Sequence, residues 1–239
     1  MTHKTFFPLS LLLSASCLAW AADAPKTVPP SSFFPLAKGT TWAFRGPVEW
    51  QVGTEVKNRV VFWMMEVTAT VEADGVLAAC LKGHPDDMVW YMEGKEPSAR
   101  VLLWNGGGYY NAASSVGCGD ILKASGGDAK RLSSLISVDH PDLPIPLSEG
   151  THWGDDEEYP RDDSMYRWNV EEIAEKKLTG IKGVDPEKPY KTVLVTYRCL
   201  GSHEFVEYAE GIGIIRYQFG HHGTVSECDM KLVEFRPGK

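Results

Sequence analysis

Along most of this chain apolar and polar residues alternate with a period of two. Val61, Trp63, Met65, Val67, Ala69 and Val71 share one side of a strand, with Glu66, Thr68 and Thr70 opposite. Phe62 and Met64 make the start of that second side apolar as well. Val76 to Leu81 is apolar on both sides, as expected of a strand covered on two faces. Val193, Val195, Tyr197 and Cys199 oppose Thr192, Thr196 and Arg198, and Ile215, Tyr217 and Phe219 alternate with Ile214, Arg216 and Gln218. Helical periodicity is scarce. Ala129 to Ser137 behind Asp128 predicts one short capped helix. Residues 165–178 carry helix-favouring Glu and Lys, but an internal repeat assigns them to a strand.

That repeat starts with FPLAKGTTW at 34–42 and IPLSEGTHW at 145–153, identical at five of nine positions. Trp63 to Gly75 then matches Trp168 to Gly180 in length, CLKGH from Cys80 matches CLGSH from Cys199, and YMEG from Tyr91 matches YAEG from Tyr208. Residues 104–109 match 219–224, and each half closes on a cysteine, Cys118 or Cys228. The second half holds an extra Pro/Gly-rich loop at 182–189. A period this long excludes solenoids and propeller blades. It predicts an all-β fold built from two duplicated meanders, 34–118 and 145–236, joined by a linker at 119–144. About five strands per half gives about ten in all, arranged as an antiparallel barrel, half-barrel or two-sheet sandwich. In such a fold Trp42 and Trp153 occupy equivalent buried sites at strand starts.

The N-terminal region changes the picture of location. Lys4 precedes an apolar run from Phe6 to Leu18, and Ala19-Trp20-Ala21 has the small-x-small form of a cleavage site. The run is too short to span a bilayer. The expectation is an export signal over 1–21, cleaved near Ala21, then a flexible lead at 22–33 and a periplasmic or extracellular domain. No later segment predicts a transmembrane helix.

Composition is that of an ordinary globular domain. The balance of 24 Lys+Arg against 32 Asp+Glu gives a formal charge of −8, which argues against a nucleic-acid partner. Removal of the signal leaves Cys80, Cys118, Cys199 and Cys228, at spacings of 38, 81 and 29 residues that match no zinc or redox pattern. In an exported chain they predict disulfides, paired within each repeat as Cys80–Cys118 and Cys199–Cys228, with free buried thiols as the rival.

FFPLAKGTTWAF at 33–44 resembles the opening of a family of uncharacterised exported bacterial proteins, aromatic-Pro-Leu-x-x-Gly-x-x-Trp-x-aromatic. YAEGIGIIRYQFGHHGTVSE at 208–227 is similar to the closing hairpins of that family, with their Gly-x-Gly and His-His-Gly-Thr turns. The resemblance implies a bacterial envelope location and an all-β fold, and it implies no activity.

No residue pattern specifies a catalytic chemistry. His221-His222 is a candidate metal pair, but adjacent strand residues point to opposite faces, and a polar hairpin tip is the simpler account. His84-Pro85-Asp86-Asp87 suits metal or acid–base work and equally a tight turn with Asp capping. His203 falls at the matching place in the second half, which favours a shared structural role. Asp155, Asp156, Glu157, Glu158, Asp162 and Asp163 form an acidic run without the EF-hand pattern, so a solvated loop accounts for it. Asn105-Gly106-Gly107-Gly108 reads as a hairpin turn, not a phosphate loop. Eight Trp, nine Tyr and nine Phe suffice to line an apolar pocket or to fill a core. No cofactor is implied. The leading reading is a non-catalytic exported protein that binds a small apolar ligand, lipid or envelope component. The second is a structural or interaction module of the envelope. A metal-dependent hydrolase using His84, Asp86, His221 or His222 comes last.

Overall fold

The computed structural model describes residues 33–73, 76–113, 116–124, 132, 134, 141–154 and 161–239. The expected export signal, most of the expected lead, the expected 129–137 helix apart from Leu132 and Ser134, and the acidic run from Asp155 to Glu158 lie outside them.

Among the described residues twelve strands form one antiparallel sheet. The first six are β1 (Thr41–Val52), β2 (Glu55–Ala73), β3 (Val76–Lys82), β4 (Ala99–Trp104), β5 (Gly108–Asn111) and β6 (Leu143–Pro144). The second six are β7 (His152–Trp153), β8 (Trp168–Lys177), β9 (Pro189–Arg198), β10 (Ser202–Ala209), β11 (Gly213–His221) and β12 (Ser226–Arg236). Their order in the sheet is β6-β5-β4-β3-β2-β1-β12-β11-β10-β9-β8-β7. Each half is therefore a simple meander, and β1 joins β12 across the middle. The sheet curls until its two ends meet: Trp153 Nε1 on β7 donates to the carbonyl of Asp142 beside β6, at 3.0 Å. The result is a nearly closed barrel with a seam between β6 and β7, each only two residues long. Within 165–178 the strand β8 covers Trp168–Lys177, as the repeat predicts. The predicted linker at 119–144 carries β6 and most of helix α1 (Cys118–Ala124).

The two halves share local detail. Gly39 and Gly150 take φ of 83° and 80°, a region open to glycine without strain. Each is the third residue of a turn closed by a backbone bond, Thr40 N to Ala37 O and Thr151 N to Ser148 O. In each half the chain then exchanges bonds with the next strand. Gly39 N reaches Val67 O while Val67 N reaches Thr40 O, and Gly150 N reaches Val170 O while Val170 N reaches Thr151 O. A β-bulge follows at the same distance beyond, between Val67 and Ala69 in β2 and between Val170 and Glu172 in β8.

These bulges correct three expectations. A bulge adds one residue to one strand, so the side-chain phase reverses across it. Val67 faces the interior, whereas Ala69 and Val71 pack against the outer cluster around Cys80. The structural partner of Val67 is Val170, so Trp168 matches Met65 and not Trp63. Val67 pairs with Leu81 and Val170 with Val195, so Cys80 corresponds to Leu194 and not to Cys199. The later matches fail too: Tyr91 lies in the β3–β4 connection, whereas Tyr208 is in β10.

Cys80 and Cys118 are bonded, with their Cα atoms 5.4 Å apart. Cys199 and Cys228 are free, which overturns the second predicted bridge. The reason is strand order. Cys228 is buried on β12, Cys199 follows β9, and two strands lie between them.

The main core fills the barrel interior, from Trp42, Phe44 and Val48 on β1 round to Tyr217 and Met230 on β11 and β12. Phe33, predicted to belong to the lead, is fully buried in it. A second cluster lies on the outside, where Ile121 of α1 covers Ala78, Cys80, Val101 and Leu103. This is why Val76 to Leu81 is apolar on both sides. The loop at 182–189 is bound at its start, since Lys182 exchanges backbone bonds with Val233 and Phe235 of β12.

At the β1–β12 junction Gly46 lets two backbones approach closely. A Cβ there would fall well inside contact distance of the Asp229 carbonyl oxygen. Gly46→Ala is expected to lower stability by about 2–3 kcal/mol, because backbone cannot yield as a flexible side chain does. A urea titration checks this; an unchanged midpoint would show that the junction tolerates a methyl group.

Candidate functional site

A cavity of about 260 Å³ lies inside the barrel, against the seam. Its walls come from both ends of the sheet, including Leu143 of β6 and Trp153 of β7, which is itself a measure of how far the barrel closes. One side is apolar and aromatic: Phe34, Trp153, Trp168, Val195 and Ile214. Trp153 and Trp168 stack with ring centroids 6.2 Å apart. Tyr109 and Phe34 meet edge to face, and burial pushes the Tyr109 hydroxyl up to about 12.

The rest of the lining is polar, and strand alternation places it. On β10 Glu204, Val206 and Tyr208 line the cavity, whereas Phe205 and Glu207 face outward. On β4 Arg100 and Leu102 face in, and Val101 and Leu103 face the outer cluster. His84 and Asp86 arrive from the connection after β3, a single 3-10 turn over Pro85–Met88. His84 caps that turn, Pro85 opens it, and Asp87 ties it to Ser98 by accepting from the backbone N–H at 2.9 Å and the hydroxyl at 2.5 Å. The turn reading of His84-Pro85-Asp86-Asp87 therefore holds, and the same turn carries two side chains to the cavity wall.

Asp86 is the hub of this polar lining. Arg100 grips it with both terminal nitrogens, at 2.7 and 2.5 Å, while its own Nε is buried without a partner. His84 Nδ1 lies 3.0 Å from Asp86 Oδ1. Burial pushes the Asp86 carboxyl up, but His84 and Arg100 outweigh that and hold it well below the usual carboxylate range. Glu204 is different. Burial raises it to about 7; a hydrogen bond from Tyr217 and the charge of Arg100 work against the rise, and Asp86 adds to it. No ion pair reaches Glu204 among the described residues. Burial likewise pushes the hydroxyls of Tyr208 and Tyr217 up, and the charge of Glu204 adds to both shifts.

The sign of the Glu204 shift sets a pH dependence. Its folded value lies above its unfolded one, so the native state binds the extra proton between them. Stability then falls as pH rises from about 4.5 through 7, by roughly 3 kcal/mol in total. Glu204→Gln should remove that fall and raise the melting temperature above pH 7. Thermal melts at pH 5 and pH 8 measure it; equal pH profiles for the two proteins would show that Glu204 is solvated.

The histidines do not converge. His84 belongs to the cavity, with its ring against Tyr217. The His221 ring meets Trp90 in a tilted contact, with centroids 4.7 Å apart, and its Nδ1 lies 2.9 Å from the Thr224 carbonyl at the hairpin tip. His222 faces His203 at 5.3 Å, so His203 does not repeat the role of His84. Among the described residues no group of three or more His, Cys, Asp or Glu side chains lies close enough to hold a metal ion. Glu204, Arg100, Tyr208 and Tyr217 escaped the sequence reading. Their one signal was a carboxyl in phase with Val206 and Tyr208 on an inward face, and that phase is readable only once β10 is placed.

A second surface feature lies outside the barrel. Val56, Val60, Phe62 and Met64 form an exposed apolar stripe on β2, on the part of that strand that β3 does not reach.

No protein-family model matches the chain, and no curated protein does. Two solved structures resemble it weakly. One is a protein described as exported, with a YmcC-like fold, from Bacteroides fragilis; it is 12% identical, with a TM-score of 0.42, covering 86% of this chain and 99% of its own. The other is described as a lipoprotein, from Parabacteroides distasonis; it is 11% identical, with a TM-score of 0.38 and the same coverages of 86% and 99%. Among the described residues no helix is long and apolar enough to cross a membrane.

Proposed function

We propose that this chain is an exported bacterial envelope protein that holds a small amphipathic molecule inside its barrel, without catalysing a reaction. The observation that carries the reading is the interior cavity, whose lining combines aromatic rings at the seam with a cluster of charged side chains. A dry apolar cavity of roughly 150 Å³ is enough to bind benzene. At about 260 Å³ this one suits a single ring with a short polar arm. The export signal at 1–21 and the family-like motifs at 33–44 and 208–227 support the location. The matched turns, backbone bonds and bulges of the two halves support an origin by duplication.

Native mass spectrometry of protein purified from its own host tests the reading, together with a titration by 2-phenylethanol followed through the fluorescence of Trp153 and Trp168. A retained small molecule, or saturable quenching that Trp168→Ala abolishes, supports it. Neither retention nor quenching would sink it. The interaction-module reading draws on the β2 stripe, but nothing in the structure shows what covers that stripe, so the cavity stands first.

A further inference from the structure

We propose that the cavity selects molecules whose polar end is a protonated amine, with Glu204 as the group that receives it. The inference rests on the cavity being a ligand site, and it follows from which charges around the cavity are already matched.

The charged and titratable groups around Glu204 are Asp86, His84 and Arg100 from the β3–β4 side, Tyr208 on its own strand, Tyr197 on β9, Tyr217 on β11, Cys228 on β12, and Tyr109 and Asp142 towards the seam. Arg100 is the one guanidinium among them. Both of its terminal nitrogens donate to Asp86, so its charge is already matched, and an anionic ligand would have to share the guanidinium with that carboxylate. Asp86 is correspondingly neutralised by Arg100, with His84 alongside. Asp142 accepts from the backbone N–H of Asn111 at the exposed rim. Glu204 remains. Among the described residues that line the cavity away from its rim, it is the carboxyl with no cationic partner, and the Tyr217 hydroxyl hydrogen-bonds to it.

A carboxylate held in a low-dielectric site without a counter-charge is costly, and an ammonium placed beside it removes the cost. An alcohol gains only an ordinary hydrogen bond there, and a carboxylate ligand meets repulsion. The aromatic wall adds to the same preference, since the faces of Trp153 and Trp168 attract a cation passing the seam. Binding also carries a proton signature. Below the value to which burial raises Glu204, an ammonium drives the carboxyl to its charged form, and one proton leaves to solvent for each amine bound.

The test uses three probes of similar size, phenethylamine, 2-phenylethanol and phenylacetate, titrated into the mature chain and read by tryptophan fluorescence and by calorimetry. Phenethylamine is expected to bind about tenfold or more tightly than the alcohol, and phenylacetate most weakly. At pH 6.5 the heat of phenethylamine binding should differ between buffers of unlike ionisation heat, as proton release requires. Glu204→Gln should collapse the amine-to-alcohol ratio and abolish the buffer dependence. Glu207→Gln, on the outer face of the same strand, should leave both in place. An amine that binds no tighter than the alcohol, or a preference that survives Glu204→Gln, overturns the inference while leaving the cavity reading intact. If none of the three probes binds, the amine inference falls, and the cavity reading falls with it when protein from its own host also retains no small molecule.

Discussion

Trp42→Ala should cost about 3–5 kcal/mol of stability, the largest loss expected from any single side chain here. Trp42 is fully buried at the start of β1. Its ring packs on Phe34 and Phe235, at 5.4 and 5.9 Å, and its indole N–H donates to the Ile212 carbonyl at 2.5 Å. Truncation leaves a cavity and also strands that carbonyl in the core. The matching tryptophan of the second half should respond less. Trp153 is 9% exposed, sits on a two-residue strand at the end of the sheet, and stacks on one ring, Trp168. About 2 kcal/mol is expected there, because the seam can relax around the gap. Urea titrations with unchanged slopes measure both. Equal losses would mean that the seam is as tightly packed as the centre of the barrel.

Opening the Cys80–Cys118 bridge should cost about 4 kcal/mol, the loop entropy of a closed segment this long. The bond fastens α1 to the outer face of β3, so its loss also loosens the cover over Ala78, Val101 and Leu103. Cys118→Ser is expected to lower the urea midpoint accordingly, with reductant then having no further effect. Thiol counting gives an independent check. The denatured, unreduced chain lacking residues 1–21 should show two thiols, not four. In the folded protein Cys199 should react first, since a hydrogen bond from Ser202 lowers its thiol. Burial pushes the Cys228 thiol up to about 12 and keeps it inert. Four reactive thiols in the denatured chain would refute the bridge.

Period-two alternation made the strands legible, and the paired FPLAKGTTW and IPLSEGTHW segments assigned residues 165–178 to a strand against their helix-favouring composition. Twelve strands and not ten were found because β6 and β7 hold two residues each, too few to alternate. The bulges at Thr68 and Glu171 were invisible for a different reason. An extra residue changes neither composition nor propensity, yet it reverses the face of everything beyond it. The alignment of the halves puts Leu194, not Cys199, in the place of Cys80, and two intervening strands leave Cys199 without its partner. The candidate site was partly legible through His84 and Asp86, because a His-Pro-Asp-Asp turn is conspicuous. Arg100 was not, since β4 is covered on both sides and no phase distinguishes its faces. Glu204 looked like one more acidic residue in a chain with many.

The β1–β12 junction also decides how the molecule meets a pulling force. Thr41 pairs with Arg236, and near the same end the Gly238 N–H donates to Thr40 Oγ1 at 2.9 Å. The first residues of β1 and the last of β12 thus lie side by side. Tension applied to the two chain ends pulls across the ladder and not along it. It loads the pairs one at a time, starting at Thr41 and Arg236 and running towards Trp50 and Ser226, as a zipper opens. The barrel would therefore part first between its halves, each leaving as a six-stranded meander, with the connection between β6 and β7 as the tether.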